Sequence, residues 1–370
     1  MNNYKISSLS FAFIVICLIN STLLGIVFPY LIKETKTSFF FSLLLSFIIG
    51  FIFIYLFLKM FNLMPEKNLI EKVESVFPKS ISIFINLIIT ILVFLLVIIV
   101  FWRFSTFVAS EYLTETPTFI ISLLLASPIF FAMFKDFDIA ARCATIIIIT
   151  IVFLFIFSRL TLLFEIDFEN FKPILNSTVS HICKGSLVTS ILQIVPLFLT
   201  LIIPKSNITD SKNITKAVVI AYISSFFILA SVITTIIGVL GVNVSSLYTF
   251  PSYVVLKNIS ILNFIKNIEN FSVIFWVMFM SFTCSFSLFF IKTSIKSMFK
   301  ITKMKTLNVI MIIIFILFMI VIYFLISLES FINKYKNIYV FIPLAVYSLL
   351  FMIMAISMAC LGIKKKRLKI

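Results

Sequence analysis

Two short stretches of this sequence hold side chains that could bind a small polar ligand. The first is Asn20-Ser21-Thr22-Leu23-Leu24-Gly25, followed by Pro29; the second holds Gly185-Ser186, Thr189-Ser190, Gln193 and Pro196. Both lie inside long apolar runs, where hydroxyl and amide groups indicate either close helix packing or a cavity. Asn, Gly and a downstream Pro weaken a helix where its backbone groups could be freed for a ligand. Half-helix ends formed in this way carry partial charge and suit a carboxylate or an ammonium group. The competing reading is structural: Asn20 and Gln193 bond neighbouring helices while the glycines let backbones approach. Arg103 is the one charged residue in the run from 80 to 110. It either snorkels to the interface, joins a structural ion pair, or meets a ligand carboxylate.

Other chemistry is thinly represented. Ser281, Thr283, Ser285 and Ser287 alternate along one apolar run, so only part of the set can line a cavity. The single histidine, His181, is expected in a loop as a bystander. Clear mid-run Asp or Glu is lacking, which speaks against a carboxylate proton relay. The five cysteines (Cys17, Cys143, Cys183, Cys284, Cys360) are scattered and read as packing residues. With no HExxH, Walker or Rossmann pattern among six glycines, no enzyme, metal site or cofactor is expected.

The elements that must position these residues follow from composition. Of 370 residues, 62% are hydrophobic and 12% charged, with a mean hydropathy of +1.23. Soluble domains carry about 25% charged residues, so this is an all-α integral membrane protein. A net charge of +16 sits in short loops between apolar runs. It points to anionic lipid and topology control rather than to nucleic acid.

Apolar runs separated by charged breaks predict ten transmembrane helices: 8–32, 38–59, 80–110, 117–134, 139–163, 185–204, 216–243, 270–297, 306–328 and 338–363. With the amino terminus in the cytoplasm, twenty Lys and Arg fall inside and nine outside, which predicts both termini inside. The segment from Met60 to Lys79 reads either as a helix lying on the membrane or as a solvated connector. The stretches Phe164 to Lys184 and Val244 to Glu269 read as outside loops long enough for re-entrant or interfacial helices.

The two polar clusters fall in spans one and six of ten. Five is odd, so a second set of five spans enters the membrane in the opposite sense to the first. The expectation is a single transmembrane domain built as an inverted 5+5 repeat, 8–163 and 185–363, with interrupted helices 1 and 6.

Several passages resemble the spore germination receptor B subunits, a branch of the amino acid/polyamine/organocation permease superfamily. Arg103-Phe104-Ser105 through Leu113-Thr114-Glu115-Thr116-Pro117 is similar to that family's R-F…L-P-x-T-P passage. Asp138-Ile139-Ala140-Ala141-Arg142 resembles its G-x-E-x-x-A-R turn, and Asn170-Phe171-Lys172-Pro173-Ile174-Leu175 its N-x-K-P-(I/V)-L stretch. Phe250-Pro251-Ser252-Tyr253 through Glu269 to Trp276 resembles its Y-P…F-x-E-R-x-E…W segment, and Ile6-Ser7 fits at the amino terminus. Thr114 stands in place of the first Pro, Asp136 in place of Gly, and Gln193 where many relatives carry Glu.

The resemblance implies a LeuT-like fold in a membrane subunit of a nutrient germinant receptor of the spore inner membrane. It implies A and C subunits as partners and a small nutrient ligand, an amino acid above all. Asn20, Thr22, Gly25, Arg103, Thr189 and Gln193 are then the expected ligand contacts. The alternative it leaves open is a secondary amino-acid permease of the cytoplasmic membrane.

Overall fold

A computed structural model describes residues 5–257, 269–328 and 338–367. Among these residues the chain forms thirteen α-helices joined by short 3-10 and π turns. They are α1 (Ser8–Asn20), α2 (Phe28–Thr35), α3 (Phe39–Asn62), α4 (Leu69–Val76), α5 (Lys79–Glu111), α6 (Thr118–Met133) and α7 (Phe137–Leu162). After these come α8 (Val179–Ile194), α9 (Ile214–Ser245), α10 (Pro251–Lys257), α11 (Glu269–Met298), α12 (Met304–Ser327) and α13 (Ile338–Arg367). Among the described residues eight helical stretches are long and apolar enough to cross a membrane, and Ser8–Asn20 and Thr118–Met133 are shorter apolar helices.

Burial sorts these helices. In Val179–Ile202, 89% of the apolar window is buried, against 22% in Met304–Ser327. The central span therefore has protein on all sides, while α12 turns Ile313, Ile316, Ile320 and Phe324 outward. Exposed apolar faces of that extent around a filled interior need lipid rather than water. The interior pairs are α5 against α11, α1 against α9, and α8 against α3; α11 also packs on α7, and α5 on α13.

Glycine is required where backbones approach most closely. A Cβ at Gly50 of α3 would collide with the ring and hydroxyl of Tyr222, and one at Gly185 of α8 with the Thr35 methyl. Tyr222 in turn donates its hydroxyl to Phe47 O at 2.9 Å.

Three expectations are corrected. The sixth span begins at Val179 rather than 185, so His181 and Lys184 belong to a helix and not to a loop. His181 Nδ1 lies 2.8 Å from Glu34 Oε1, so it joins the start of α8 to the end of α2. The 60–79 segment holds the helix that one of its two readings expected, but the helix packs its apolar face on protein. α4 is closed by an Asn68–Glu71 capping box, packs against α13 and α5, and buries Leu69, Ile70 and Val73 completely. Buried Lys72 turns its ammonium onto Met60 O (3.2 Å) and Phe61 O (3.5 Å), closing the carbonyl end of α3. Burial pulls the Lys72 pKa down to about 8.

In the second expected loop, α10 fills Pro251–Lys257; Phe264 to Ile268 lie outside the described residues. The passage at Asn170 has a structural task. Asn170 Nδ2 donates to Gly238 O at 2.8 Å and Asp167 N to the same oxygen at 3.0 Å, beside the bend in α9 at Gly241, where φ is +69°.

Candidate functional site

Both expected helix interruptions are present, and they differ in kind. α1 stops at Asn20; Ser21 and Thr22 form a turn, the chain widens into a π-helical turn over Leu23–Val27, and α2 resumes at Phe28 with Pro29 in its first turn. Pro29 lacks an N–H, so it fits the start of a helix where no intrahelical partner is needed. In the second interruption Pro196 cannot donate into the α ladder, and the helix tightens into a 3-10 turn over Val195–Ile202.

Thr22 joins the two: its hydroxyl donates to Leu192 O at 2.8 Å, one residue before Gln193. Asn20 Nδ2 donates to Ile16 O (2.8 Å) and to Ser225 Oγ of α9 (3.0 Å). Ser21 Oγ donates back to Leu18 O at 2.8 Å. Gly25 belongs to the π turn by its backbone, and its surroundings lie outside the described residues.

On α8, Ser190 Oγ donates to Ser186 O at 2.7 Å and to Ser46 O of α3 at 3.2 Å. Thr189 and Gln193, one turn apart on the same helix face, are buried to 1% exposure. Thr189 Oγ1 and Gln193 Nε2 have no hydrogen-bond partner among the described residues. Each such orphan costs about 1–3 kcal/mol unless something else satisfies it.

α11, which packs on α1 and on the 3-10 turn, and α5 behind it add more of the same kind. Trp102 Nε1 and Thr106 Oγ1 on α5, and Thr283 Oγ1 and Ser287 Oγ on α11, are buried without partners. Ser281 and Ser285 face elsewhere, lining a cavity of about 300 Å³ between α7 and α11. Arg103 belongs to a different neighbourhood. It is 2% exposed, with its guanidinium 5.5 Å from the Trp102 ring and 5.3 Å from Phe250, next to the Phe107–Phe250–Tyr253 ring cluster.

Both ends of the interrupted helices are tied across the chain. On the side where the chain begins, Ile6 N donates to Asn207 O and Thr209 N to Ile6 O, each at 3.0 Å. On the far side Ser38 Oγ accepts from Asn176 N (2.9 Å) and Ser177 N (3.1 Å), and Ser177 Oγ donates to Thr35 O (2.9 Å).

One feature has no counterpart in the sequence reading. A cavity of about 690 Å³ opens on the side of Ile6, with Lys292 and Lys296 from α11 and Lys300 from the turn after it facing Glu71, Glu74 and Asp136. Lys292 Nζ donates to Lys135 O at 3.1 Å. Burial holds the Glu74 carboxyl above its usual range, against the opposing pull of Lys300. The four-residue spacing of the lysines was readable as one helix face; the acidic wall opposite is assembled from distant segments.

Comparisons with known proteins fit this geometry. The model of a family described as spore germination protein matches residues 5–325. A search of curated protein sequences gives no significant match. Among solved structures, a mutant of the Eremococcus coleocola manganese transporter is similar at 15% identity and a TM-score of 0.56, covering 96% of this chain and 75% of its own. A Na+-coupled sialic acid symporter in a substrate-bound outward-open state is similar at 14% identity and a TM-score of 0.58, covering 95% and 77%. At these identities the likeness establishes a shared transporter fold.

Proposed function

We propose, from the premise that this chain belongs to the spore germination protein family, that it is the ligand-binding membrane subunit of a nutrient germinant receptor. It resides in the spore inner membrane with both termini in the cytoplasm, and a small nutrient, an amino acid above all, binds at the two helix interruptions. The single observation that carries this reading is the buried pair Thr189 Oγ1 and Gln193 Nε2, left without partners among the described residues within one turn of the bond that joins the interruptions. Thr22, Gly25 and Asn20 supply the wall from helix 1; Arg103 guards the approach from α5.

The architecture in this proposal is a ten-span inverted repeat. Span one is α1, the π turn and α2; span six is α8 and its 3-10 continuation. Exchange of the two halves carries α1-on-α9 into α8-on-α3 and α7-on-α11 into α13-on-α5, and leaves α5-on-α11 unchanged; all of these pairs are in contact. A ligand held between the halves shifts their packing only to the extent that it binds one arrangement better than the other. The A and C subunits, with surrounding lipid, receive that shift.

A permease reading is favoured by one observation, the transporter fold of the structural neighbours. Spores carrying Thr189→Val or Gln193→Leu decide between them. Dipicolinic acid release is followed across amino acids, sugars and nucleosides, with labelled uptake by vegetative cells alongside. Loss of release at normal protein level with unchanged uptake supports the receptor. Lost uptake with normal germination supports the permease, and wild-type behaviour in both assays rejects the site.

A further inference from the structure

A second polar cavity lies away from the helix interruptions, between α7, α9, α10 and α11. It is small, about 10 Å³, which is room for one water-sized occupant. Its walls are mostly apolar, among them Phe155, Val232 and Phe279, and three polar side chains join them: Arg159, Ser252 and Trp276. Ser252 and Trp276 are 4% and 3% exposed. Among the described residues, Ser252 Oγ, Trp276 Nε1 and Arg159 Nε are all buried without a hydrogen-bond partner.

The chemistry of this set is one-sided. Indole and guanidinium N–H groups only donate, and a serine hydroxyl can turn its proton inward to make a third donor. Arg159 spends one further N–H on Thr235 Oγ1 and lies 5.3 Å from the Phe155 ring. Among the described residues no acidic side chain forms an ion pair with it. Of these three groups only the Ser252 oxygen could accept a hydrogen from a water molecule placed here, and a water would leave the guanidinium charge unbalanced. A monatomic anion accepts from all three and balances the guanidinium charge.

We infer that this cavity binds one small monovalent anion of the halide class, held by Arg159, Ser252 and Trp276. The space excludes a carboxylate or phosphate. The site also reaches the interrupted first span, because the Trp276 ring packs edge-on against Phe28 of α2 at 5.8 Å. An occupant on the indole N–H fixes that ring and so biases where α2 sits.

The test uses the full chain purified in detergent, with sodium chloride compared against sodium gluconate at equal ionic strength. Chloride raises the thermal unfolding midpoint of the wild type by several degrees, since an occupant bound only to the folded state stabilises it. Bromide, close to chloride in size, quenches tryptophan fluorescence with a saturating component that persists in Trp102→Phe and disappears in Trp276→Phe. Arg159→Gln weakens both effects at least tenfold in halide concentration, and Ser252→Ala, a gentler change, weakens them by a smaller factor. Equal midpoints in chloride and gluconate with purely linear bromide quenching would overturn the inference, leaving an ordered water as the occupant. So would a halide response that survives Arg159→Gln unchanged.

Discussion

The two helix interruptions face each other across one hydrogen bond, yet they treat their polar groups in opposite ways. In the first, Asn20, Ser21 and Thr22 each donate to a named acceptor: Ser225 Oγ, Leu18 O and Leu192 O. In the second, Ser186 and Ser190 are bonded, while Thr189 Oγ1 and Gln193 Nε2, on the adjoining face, have no partner. The first break is built as a joint through its donors, although Asn20 Oδ1 there is also buried without a partner among the described residues. The second keeps unsatisfied groups at a cost in stability, which is the arrangement a ligand can repay.

The second break depends on close packing against α3, and removing that contact has the largest effect. Gly50 sits against Tyr222 and against Ile194, the last α-helical residue before the second break. Gly50→Val is expected to lose more than about 3 kcal/mol through overpacking, read as loss of folded protein from membranes and a collapsed unfolding midpoint in detergent. A normal midpoint would show that the second break does not rely on the α3 wall.

Next in size is Lys72, a charged group satisfied only by carbonyls, as the first break is satisfied by neutral ones. Its pKa falls from 10.5 to about 8 through burial. Between those values the unfolded chain holds a proton that the folded chain has released, so stability rises with pH across that window. The rise amounts to at most about 3 kcal/mol. Lys72→Met should flatten it, in thermal unfolding measured from about pH 8 to about pH 10; an unchanged slope would assign the rise to other groups.

Much of this was legible in the sequence, for identifiable reasons. Apolar runs of about 20 residues must become helices in lipid because no other structure satisfies their backbones, and both interruptions were marked by Asn20 and Pro29 and by Pro196. The start of α8 was less legible, since Ser180, His181 and Lys184 break its apolar pattern, although Thr178 occupies the N-cap position. α4 carried its capping-box signal at Asn68 and Glu71, but nothing local could show that its apolar face meets α13. The orphaned state of Thr189 was invisible as well: Ser190 beside it is the same kind of residue, and only the path of α3 gives it Ser46 O as an acceptor.

A smaller effect separates a joint residue from its surroundings. Asn20→Leu removes the bonds to Ile16 O and Ser225 Oγ and leaves Ser225 with a lost partner inside the bundle. The expected loss is about 1–2 kcal/mol, seen as a lower midpoint, together with a raised nutrient concentration for half-maximal germination, since Asn20 Oδ1 is also without a partner among the described residues. An unchanged half-maximal concentration would leave Asn20 to the joint alone.

The smallest effect is the most discriminating, because it makes the same substitution on both breaks. Thr22→Val and Thr189→Val each replace a buried hydroxyl with a methyl of nearly the same volume. At Thr22 the change deletes the bond to Leu192 O, so stability should fall by about 1 kcal/mol. At Thr189 it removes a hydroxyl that has no partner, so the ligand-free protein should hold its midpoint or gain up to about 1 kcal/mol. Addition of a saturating nutrient should then raise the midpoint of the wild type and of Thr22→Val but not that of Thr189→Val. Equal losses from the two substitutions without ligand would mean that Thr189 already has a partner and that both breaks are joints.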